Sequence, residues 1–467
     1  MGFKLSAEAE AFFGTRRARL VRFNGSWFTY QPTGAYREVS DELIRAEIRR
    51  ACEWSLTSAN VSNVLDEIKS ATVIDGHTVN IPMWLDELPG MPAASRLIIC
   101  RNGILEPLTG ALYAHNERLF ALNALPFDYV QNAPDPQRFL LFMHEIFDGD
   151  IEAIAEFQKL MGYLITGDTS LQKVFCVVGP KRSGKGTLGR VLRELLGRDN
   201  VESPSFTDLS EPRFGLEGLV GKRLALIPDA RMGQRADRIV AAERLLNISG
   251  EDSISIGRKH KTAWNGKLDA RILILSNELP ALPDPSGALA SRFVVWHTPI
   301  SFYGREDHTL MMTLMGELPS ILSWALGGLR RLMIEGRIVT PASARELLDD
   351  MDNLGSPVRA FCKERCTFAP DASVAKETLW SAYSLWHRQG GIPGAPLSKE
   401  MFSRAIKTAF PQLRDYRPRL ADGRPGPREW RGMNLDQTSA TNYTNYGTAP
   451  IQVPGSIDPG FDPCVTH

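Results

Sequence analysis

The stretch VFCVVGPKRSGKGTLGRVLRELL, residues 174–196, decides the fold of this chain. Its first five residues are apolar and rich in β-branched side chains, which predicts a buried strand because the run is too short for a helix. Apolar residues then recur at helical spacing from Leu188 to Leu195, which predicts a helix. Between them lies the spacing G-x-x-x-x-G-K, and a strand, such a loop and a helix in that order are typical of a phosphate-binding loop.

The residue types of the glycine loop suit a nucleoside triphosphate. Gly179 and Gly184 allow the backbone to curl so that N–H groups point at phosphate oxygens, and the following helix directs its positive N-terminus there. Lys185 supplies a point charge for the outer phosphates. Because Gly186 follows the lysine, the hydroxyl that would bind Mg²⁺ is displaced to Thr187. The predicted nucleotide-binding residues are Gly179, Pro180, Lys181, Arg182, Ser183, Gly184, Lys185, Gly186 and Thr187.

A second pattern overlaps this loop. Gly184, Gly186 and Gly189 also spell G-x-G-x-x-G, a weak dinucleotide fingerprint. A dinucleotide site has no use for a lysine among its glycines, and a glycine turn without a ligand leaves the strand-to-helix context unexplained. The phosphate loop is therefore preferred to both, although it does not identify what the bound nucleotide drives.

Composition narrows the class of protein. With 467 residues, the chain is too long for one core and is expected to form about three domains. The 54 basic and 54 acidic residues cancel, so a nucleic-acid site must come from local clusters of charge. Six cysteines without a C-x-x-C pair indicate neither a zinc module nor a disulfide scaffold. No apolar run reaches the length of a membrane span, so we expect a cytoplasmic protein without a membrane partner.

Further strands carry polar residues at their ends. Residues 224–227 form a second apolar run that ends at Pro228 and Asp229, and a carboxylate there suits a Mg²⁺-nucleotide site. A third run, residues 271–276, ends at Asn277, whose amide can orient an attacking water. Arg292 precedes a fourth strand, where it is placed either to reach a neighbouring subunit's nucleotide or to form a salt bridge.

Two segments are candidates for DNA contacts. The flanking strands and Asn265-Gly266 predict a protruding hairpin over residues 257–267, with clustered cations and one aromatic that suit a phosphate backbone and a stacked base better than a solvated turn. Near the C-terminus, three helices and a strand–turn–strand through residues 422–426 look like a winged helix, with a protein-docking wing as the alternative. There, residues 396–431 hold nine basic and four acidic side chains. The predicted DNA-binding residues are Arg258, Lys259, His260, Lys261, Lys267, Arg404, Lys407, Arg424 and Arg428.

Taken in order, these motifs resemble a superfamily III helicase, and more closely the helicase portion of phage and plasmid primase–helicases of the poxvirus D5-like type. The resemblance runs from about Leu97 to about Leu435. It implies an α/β fold with an AAA+-like P-loop ATPase core in a hexameric ring. Such a ring would use ATP and Mg²⁺ to move along single-stranded DNA during replication.

The resemblance also implies roles for single residues. Lys185 would bind phosphate, Asp229 would serve Mg²⁺, Asn277 would be the sensor, and Arg292 would act on the neighbouring subunit's nucleotide. Lys259 and His260 would lie at the hairpin tip in the central channel. Pro228 stands where the family often has a second acid, so Glu243 or Asp252 would have to polarise water, or hydrolysis would be slow.

The same interpretation divides the chain and names its partners. Besides DNA and further copies of the chain, it expects duplex or origin DNA at the C-terminal domain and a separate primase or polymerase. We predict a mixed α+β N-terminal region at residues 1–134, a helical collar plus ATPase domain at 135–336, a linker at 337–355, a winged-helix-like DNA-binding domain at 356–436 and a disordered tail at 437–467.

Two other functions remain open from the sequence. A non-translocating DNA-binding ATPase, for origin recognition or helicase loading, would use the nucleotide only to assemble, and Pro228 favours it. A nucleotide kinase also fits the loop, but a basic hairpin and a second DNA module are superfluous to a kinase.

Overall fold

The chain forms two compact units, one ending at Gly355 and one beginning at Ser356. The computed structural model describes residues 6–14, 20–52, 56–74, 81–86, 88–228, 237–259, 261–284, 288–390, 392, 395–419 and 424–436. Asp229, His260 and the predicted tail at 437–467 lie outside these residues, as do Asp422 and Gly423 of the predicted turn at 422–426.

Short strands and helices make up the N-terminal part of the first unit. Asn24 and Gly25 both have positive φ angles, as the predicted tight turn between the first two strands requires. The next helix is capped by Ser40, because the Ser40 hydroxyl accepts the N–H of Leu43. The elements are α1 (Ala7–Gly14), β1 (Leu20–Phe23), β2 (Ser26–Tyr30), β3 (Tyr36–Val39), α2 (Asp41–Ala51), α3 (Ser58–Thr72), β4 (Val73–Ile74), β5 (Met83–Trp84), β6 (Ile98–Cys100), β7 (Gly103–Glu106), β8 (Ala111–Tyr113) and β9 (Leu119–Phe120).

Two helices and then alternating strands and helices complete this unit. They are α4 (Gln137–Ile146), α5 (Ile151–Ile165), β10 (Val174–Val178), α6 (Lys185–Leu196), β11 (Val201–Glu202), α7 (Phe206–Ser210), β12 (Leu224–Ile227), α8 (Arg238–Ser249), β13 (Ile254–Arg258), β14 (Lys261–Gly266), β15 (Arg271–Ser276), β16 (Phe293–His297), α9 (Leu310–Gly316), α10 (Leu318–Glu335) and α11 (Arg345–Gly355). Among the described helices none alone is long and apolar enough to cross a membrane; α9 and α10 meet that standard only as a pair, bent by 72°.

A five-stranded parallel sheet is the centre of the first unit. Its order is β11-β12-β15-β10-β16, and every neighbouring pair is parallel. Alternate residues of β10 enter different cores: Phe175 and Val177 pack with α5, α6 and α10, whereas Val174 and Cys176 pack with α7, α8 and α11. Both faces of the sheet are therefore covered, as parallel sheets require, and the predicted α/β fold is confirmed.

The connections of the sheet single out the end of β10. From β10 the chain crosses to β11 at one edge, returns through β12 to β15, and then passes over β10 to reach β16 on its other side. The carboxyl end of β10 is thus the point where the winding reverses, and ligands of open α/β sheets bind in the crevice at such a point.

The second unit combines helices with small antiparallel sheets. Three helices lie where the apolar spacing predicts them, and the strands pair as β18-β20-β19 and β17-β21. Its elements are α12 (Pro357–Arg365), β17 (Cys366–Thr367), β18 (Ser373–Ala375), α13 (Lys376–Gln389), α14 (Lys399–Ala409), β19 (Arg414–Tyr416), β20 (Glu429–Arg431) and β21 (Asn434–Leu435).

Candidate functional site

The glycine loop between β10 and α6 has a backbone that only glycine permits at two positions. Gly184 has φ +89°, and a Cβ there would lie 2.5 Å from Cγ2 of Ile146. A Cβ on Gly179 would lie 2.2 Å from both the carbonyl and the hydroxyl oxygen of Thr298. The two glycines that define the motif are therefore needed for close packing as well as for the curl of the loop.

Lys185 turns back into this loop. Its side chain begins α6 and only 7% of the residue is exposed. The ammonium donates to the carbonyl oxygens of Gly179 and Pro180 at 2.8 Å each, and to Oγ of Ser183 at 3.0 Å. A positive charge is thus held at the centre of the loop, at the N-terminus of a helix, which is the arrangement that favours an anion.

A cavity of about 710 Å³ opens beside the loop, at the carboxyl ends of the strands. Six permanently charged cations and three carboxylates are among its described lining residues, an excess of three positive charges. A cavity of this size accommodates a ligand as large as a nucleotide. The charged residues that line it are Arg138, Arg182, Lys185, Arg190, Arg193, Arg305, Glu145, Glu306 and Asp307.

The residues predicted to follow the second and third strands line this cavity, except Asp229, which lies outside the described residues. Asn277 and Pro228 both line it, after β15 and β12 respectively. Thr187 lines it too, and its hydroxyl accepts a hydrogen bond from Nη2 of Arg190 at 3.1 Å. Among the described residues, no group of three or more His, Cys, Asp or Glu side chains is arranged to hold a metal ion by itself.

Neither proposed substitute for the missing acid lies here. Glu243 is exposed on α8. Asp252 follows Glu251, whose carboxylate accepts a hydrogen bond from the hydroxyl of Thr169. Thr169 precedes β10, so Asp252 is near the amino ends of the sheet strands, away from the cavity. The carboxylates that do line the cavity are Glu145, Glu306 and Asp307, which motif reasoning missed because they follow no strand of the sheet.

These three carboxylates contact arginines at the cavity. Arg138 pairs with Glu145 at 3.2 Å and with Asp307 at 3.7 Å. Glu306 lies 3.6 Å from Arg182 of the glycine loop. Hydrogen bonds from the Thr309 hydroxyl and N–H lower the pKa of Asp307, so this carboxyl stays ionised at neutral pH.

Arg292 lies at the amino ends of the sheet strands, whereas Lys185 lies at their carboxyl ends. It precedes Phe293, which pairs with Val174 at the start of β10, whereas the glycine loop follows the end of that strand. The five residues of β16, about 17 Å in length, separate the amino ends of the strands from their carboxyl ends. Arg292 donates to the carbonyl of Leu246 at 2.6 Å and to Oγ of Ser249 at 3.1 Å. The structure therefore does not bring Arg292 to the cavity of its own chain.

The basic segment forms a hairpin that differs from the expected one. The strands β13 and β14 run through it, with the turn between Arg258 and Lys261, and Asn265 and Gly266 lie inside β14 rather than in a turn. Trp264 is buried in the core rather than presented for stacking. The hairpin is held to the body of the first unit by its own cations.

Glu38 on β3 binds two of those cations. Arg258 donates to both carboxylate oxygens, at 2.8 and 2.9 Å, and to Oγ of Ser26 at 3.0 Å. Lys261 donates to the same carboxylate at 2.7 Å. The Arg258 side chain is only 8% exposed, so its charge is used within the fold, and the expectation that it faces DNA in the free chain is corrected. Lys259 is exposed at the turn.

Lys267 lies elsewhere. It pairs with Glu251 at a second cavity, of about 430 Å³, beside the amino ends of the sheet strands. Burial raises the pKa of the neighbouring Asp269 and lowers that of the buried Arg271 to about 10.

In the second unit, Arg404 and Lys407 lie on the exposed face of α14, and Arg424 and Arg428 are exposed before β20.

Comparisons with known families give two matches, each covering less than half of the chain. A family described as D5 N terminal like matches residues 11–148, and a family of unknown function (DUF5906) matches residues 177–292. The N-terminal part of the chain is D5-like. That match begins at residue 11, well before Leu97, where the motif resemblance starts. The motif resemblance starts later because residues 11–96 carry no motif with recognisable chemistry.

Structures of the NrS-1 C-terminal region are among the solved structures to which this chain is similar. The apo structure of residues 305–718 has a TM-score of 0.50 at 12% identity, over 92% of this chain and 100% of that one. Two A-form apo structures of the region have TM-scores of 0.47 and 0.46, at 13% and 12% identity, over 88% and 91% of this chain and 96% and 99% of those chains. At such identity the likeness concerns the fold alone.

Proposed function

We propose that this chain is an ATP-dependent, ring-forming DNA helicase of the superfamily III type, which translocates on single-stranded DNA in the replication of a phage or another mobile element. The observation that carries the proposal is the buried Lys185 in a glycine loop, beside a cavity with an excess of positive charge. The D5-like N-terminal part supports the replication setting that the resemblance implies.

ATP would occupy the cavity with its outer phosphates at Lys185. Asn277 lines the cavity close to the loop, because Ser276 before it pairs with Val178. Its amide would orient a water. Mg²⁺ would be held by the phosphate oxygens, the Thr187 hydroxyl and Asp229, and it would neutralise charge on the phosphates. The first unit would then be an AAA+-like P-loop ATPase with a helical collar, α4 and α5, ahead of it.

The position of Arg292 supports assembly into a ring. An arginine at the amino ends of the sheet strands would reach a nucleotide only in another copy of the chain. A heterologous contact of this kind gives a ring when it closes, and here the ring would be a hexamer. Lys259 at the hairpin turn would face DNA in the channel. The second unit would be a winged helix that contacts duplex or origin DNA with Arg404, Lys407, Arg424 and Arg428.

A second candidate is a DNA-binding ATPase that does not translocate. Two observations favour it: Pro228 stands where an acid is expected beside the cavity, and Glu38 already pairs with both Arg258 and Lys261 of the hairpin. Such a protein would use ATP to assemble on an origin or to load another helicase.

Strand displacement on forked DNA separates the two functions. We expect the full chain to hydrolyse ATP faster when single-stranded DNA is added and to displace the paired strand, and Lys185→Ala to lose both activities. Hydrolysis and DNA binding without displacement would favour the second candidate. An ATP hydrolysis rate equal in wild type and Lys185→Ala would exclude both.

A further inference from the structure

Three buried side chains form a polar chain behind the glycine loop. Nζ of Lys185 donates to Oγ of Ser183 at 3.0 Å, and this oxygen lies 2.8 Å from Oγ1 of Thr298. Ser183 is 1% exposed and Thr298 is fully buried. Thr298 directly follows β16, the neighbour of β10 in the sheet, and no motif in the sequence points to it.

Thr298 also supports the start of the loop. Its N–H donates to the carbonyl of Val178, the last residue of β10, at 2.9 Å. Gly179 packs so closely on Thr298 that a Cβ would overlap it. The backbone of Thr298 therefore fixes where the loop begins, and its hydroxyl reaches Ser183 further along the loop.

The hydrogen bonds of Lys185 indicate what must change when a phosphate arrives. A lysine ammonium has three N–H donors, and Gly179 O, Pro180 O and Ser183 Oγ accept from it here. To bind an outer phosphate, the ammonium must give up at least one of these acceptors. The bond to Ser183 is the longest of the three and is the only one that ends on a side chain, which can rotate, so it is the easiest to exchange.

Once that bond is lost, Thr298 is the remaining side-chain partner of the buried Ser183 hydroxyl, with the two oxygens 2.8 Å apart. A threonine hydroxyl donates as well as accepts, so Thr298 is able to donate to Ser183 once Lys185 has turned away. Ser183 in turn becomes free to direct its own proton at the phosphate. We propose that Thr298 is a positioning residue for nucleotide binding, which acts on Lys185 through Ser183. The inference rests on the proposed nucleotide site.

Valine and serine substitutions of Thr298 test this role. Thr298→Val keeps the shape but lacks the hydroxyl. In the empty loop Ser183 keeps Lys185 as a partner, whereas in the bound loop it would have neither partner. The loss is therefore larger in the bound state, and we expect affinity for a fluorescent ATP analogue to weaken about tenfold. Thr298→Ser restores the hydroxyl and should bind within about twofold of wild type. Titrations use the full chain, with melting temperatures without nucleotide as the check on folding.

A double substitution separates positioning from a general packing effect. In a Ser183→Ala background the hydroxyl that Thr298 serves is gone, so Thr298→Val should have no further effect on affinity. Equal affinities of the valine and serine variants, or a tenfold loss that persists in the Ser183→Ala background, would overturn the inference. If the valine variant does not fold, Thr298→Ala replaces it in the same cycle. Lys185→Met against wild type tests the nucleotide site itself, independently of Thr298.

Discussion

The cavity beside the glycine loop and the hairpin β13–β14 both concentrate cations, but the fold compensates their charges differently. At the cavity, Glu145 and Asp307 both contact Arg138, and the lining keeps an excess of three positive charges. At the hairpin, Glu38 binds both Arg258 and Lys261. The cations at the cavity line a space large enough for a ligand. Those of the hairpin form ion pairs that hold β13 and β14 to β3 of the same unit.

Burial explains this difference. The Arg258 side chain is 8% exposed, and a guanidinium with so little hydration requires a carboxylate in fixed geometry. Arg190 and Arg193 are exposed at the cavity wall, where water stabilises their charge until a ligand arrives. The lesson is that clustered cations in a sequence indicate an anion, but only burial and partners decide whether that anion belongs to the chain.

A large effect on stability is expected from Arg258→Met. The substitution leaves Glu38 with Lys261 as its remaining ion-pair partner and removes the bond from Arg258 to Ser26. Because this site is intermediate between an exposed pair and a fully buried one, we expect the free energy of unfolding to fall by about 2 kcal/mol. Urea denaturation of the full chain measures it.

Arg37→Met is the matched control for that variant. Arg37 is the neighbour of Glu38 on β3, and its exposed side chain points to the other face of the strand. Its replacement should change stability by no more than about 0.5 kcal/mol. Equal losses in the two variants would show that the Arg258 pair does not fasten the hairpin.

A functional rather than structural effect is expected from Arg190→Met. Arg190 lines the cavity one turn after Lys185, and its only described side-chain bond here is to Thr187 on its own helix. We expect the affinity for an ATP analogue to weaken about tenfold, the effect of losing one hydrogen bond to a charged group. The urea midpoint should not change.

Arg198→Met serves as the comparison for Arg190. Arg198 follows the same helix but pairs with Glu194 and is 71% exposed, away from the cavity. Its replacement should leave nucleotide affinity as in wild type. If Arg190→Met lowered stability instead of affinity, the contrast between the cavity and the hairpin would be lost.

Much of the core could be predicted from the sequence because its signals are local. The apolar run of β10, the glycine spacing and the helical period of α6 all lie within 23 residues, and the structure has each of these elements. Asn277 reaches the cavity because parallel strands end at one edge of the sheet.

Contacts between distant residues could not be predicted in this way. Glu38 lies 220 positions before Arg258, and nothing in either neighbourhood indicates the other. Thr298 and Ser183 are 115 positions apart, and both are ordinary hydroxyl residues in the sequence. The sites of such pairs follow from how the sheet and the N-terminal strands pack, which a motif does not encode.

Glu38→Gln tests how the hairpin contact depends on pH. Burial alone would raise the pKa of Glu38, but hydrogen bonds from Lys261, Ser26 and Arg258 outweigh it and lower the pKa below its ordinary value of 4.5. The stability from this carboxylate is therefore fully present above about pH 4.5 and is lost as the pH falls through the lowered pKa. Glutamine removes the charge at every pH.

We therefore expect Glu38→Gln to be less stable than wild type by about 2 kcal/mol at pH 7, because the buried Arg258 then lacks a carboxylate. The difference should shrink towards pH 3 as the wild-type carboxyl becomes protonated. Urea midpoints at pH 7, 5 and 3 provide the measurement. Glu346→Gln, at an exposed position of α11, is the control and should match wild type throughout. A difference between Glu38→Gln and wild type that stayed constant over this range would mean that packing, and not the charge of Glu38, joins the hairpin to β3. In that case the charge compensation inferred for the hairpin would no longer distinguish it from the cavity.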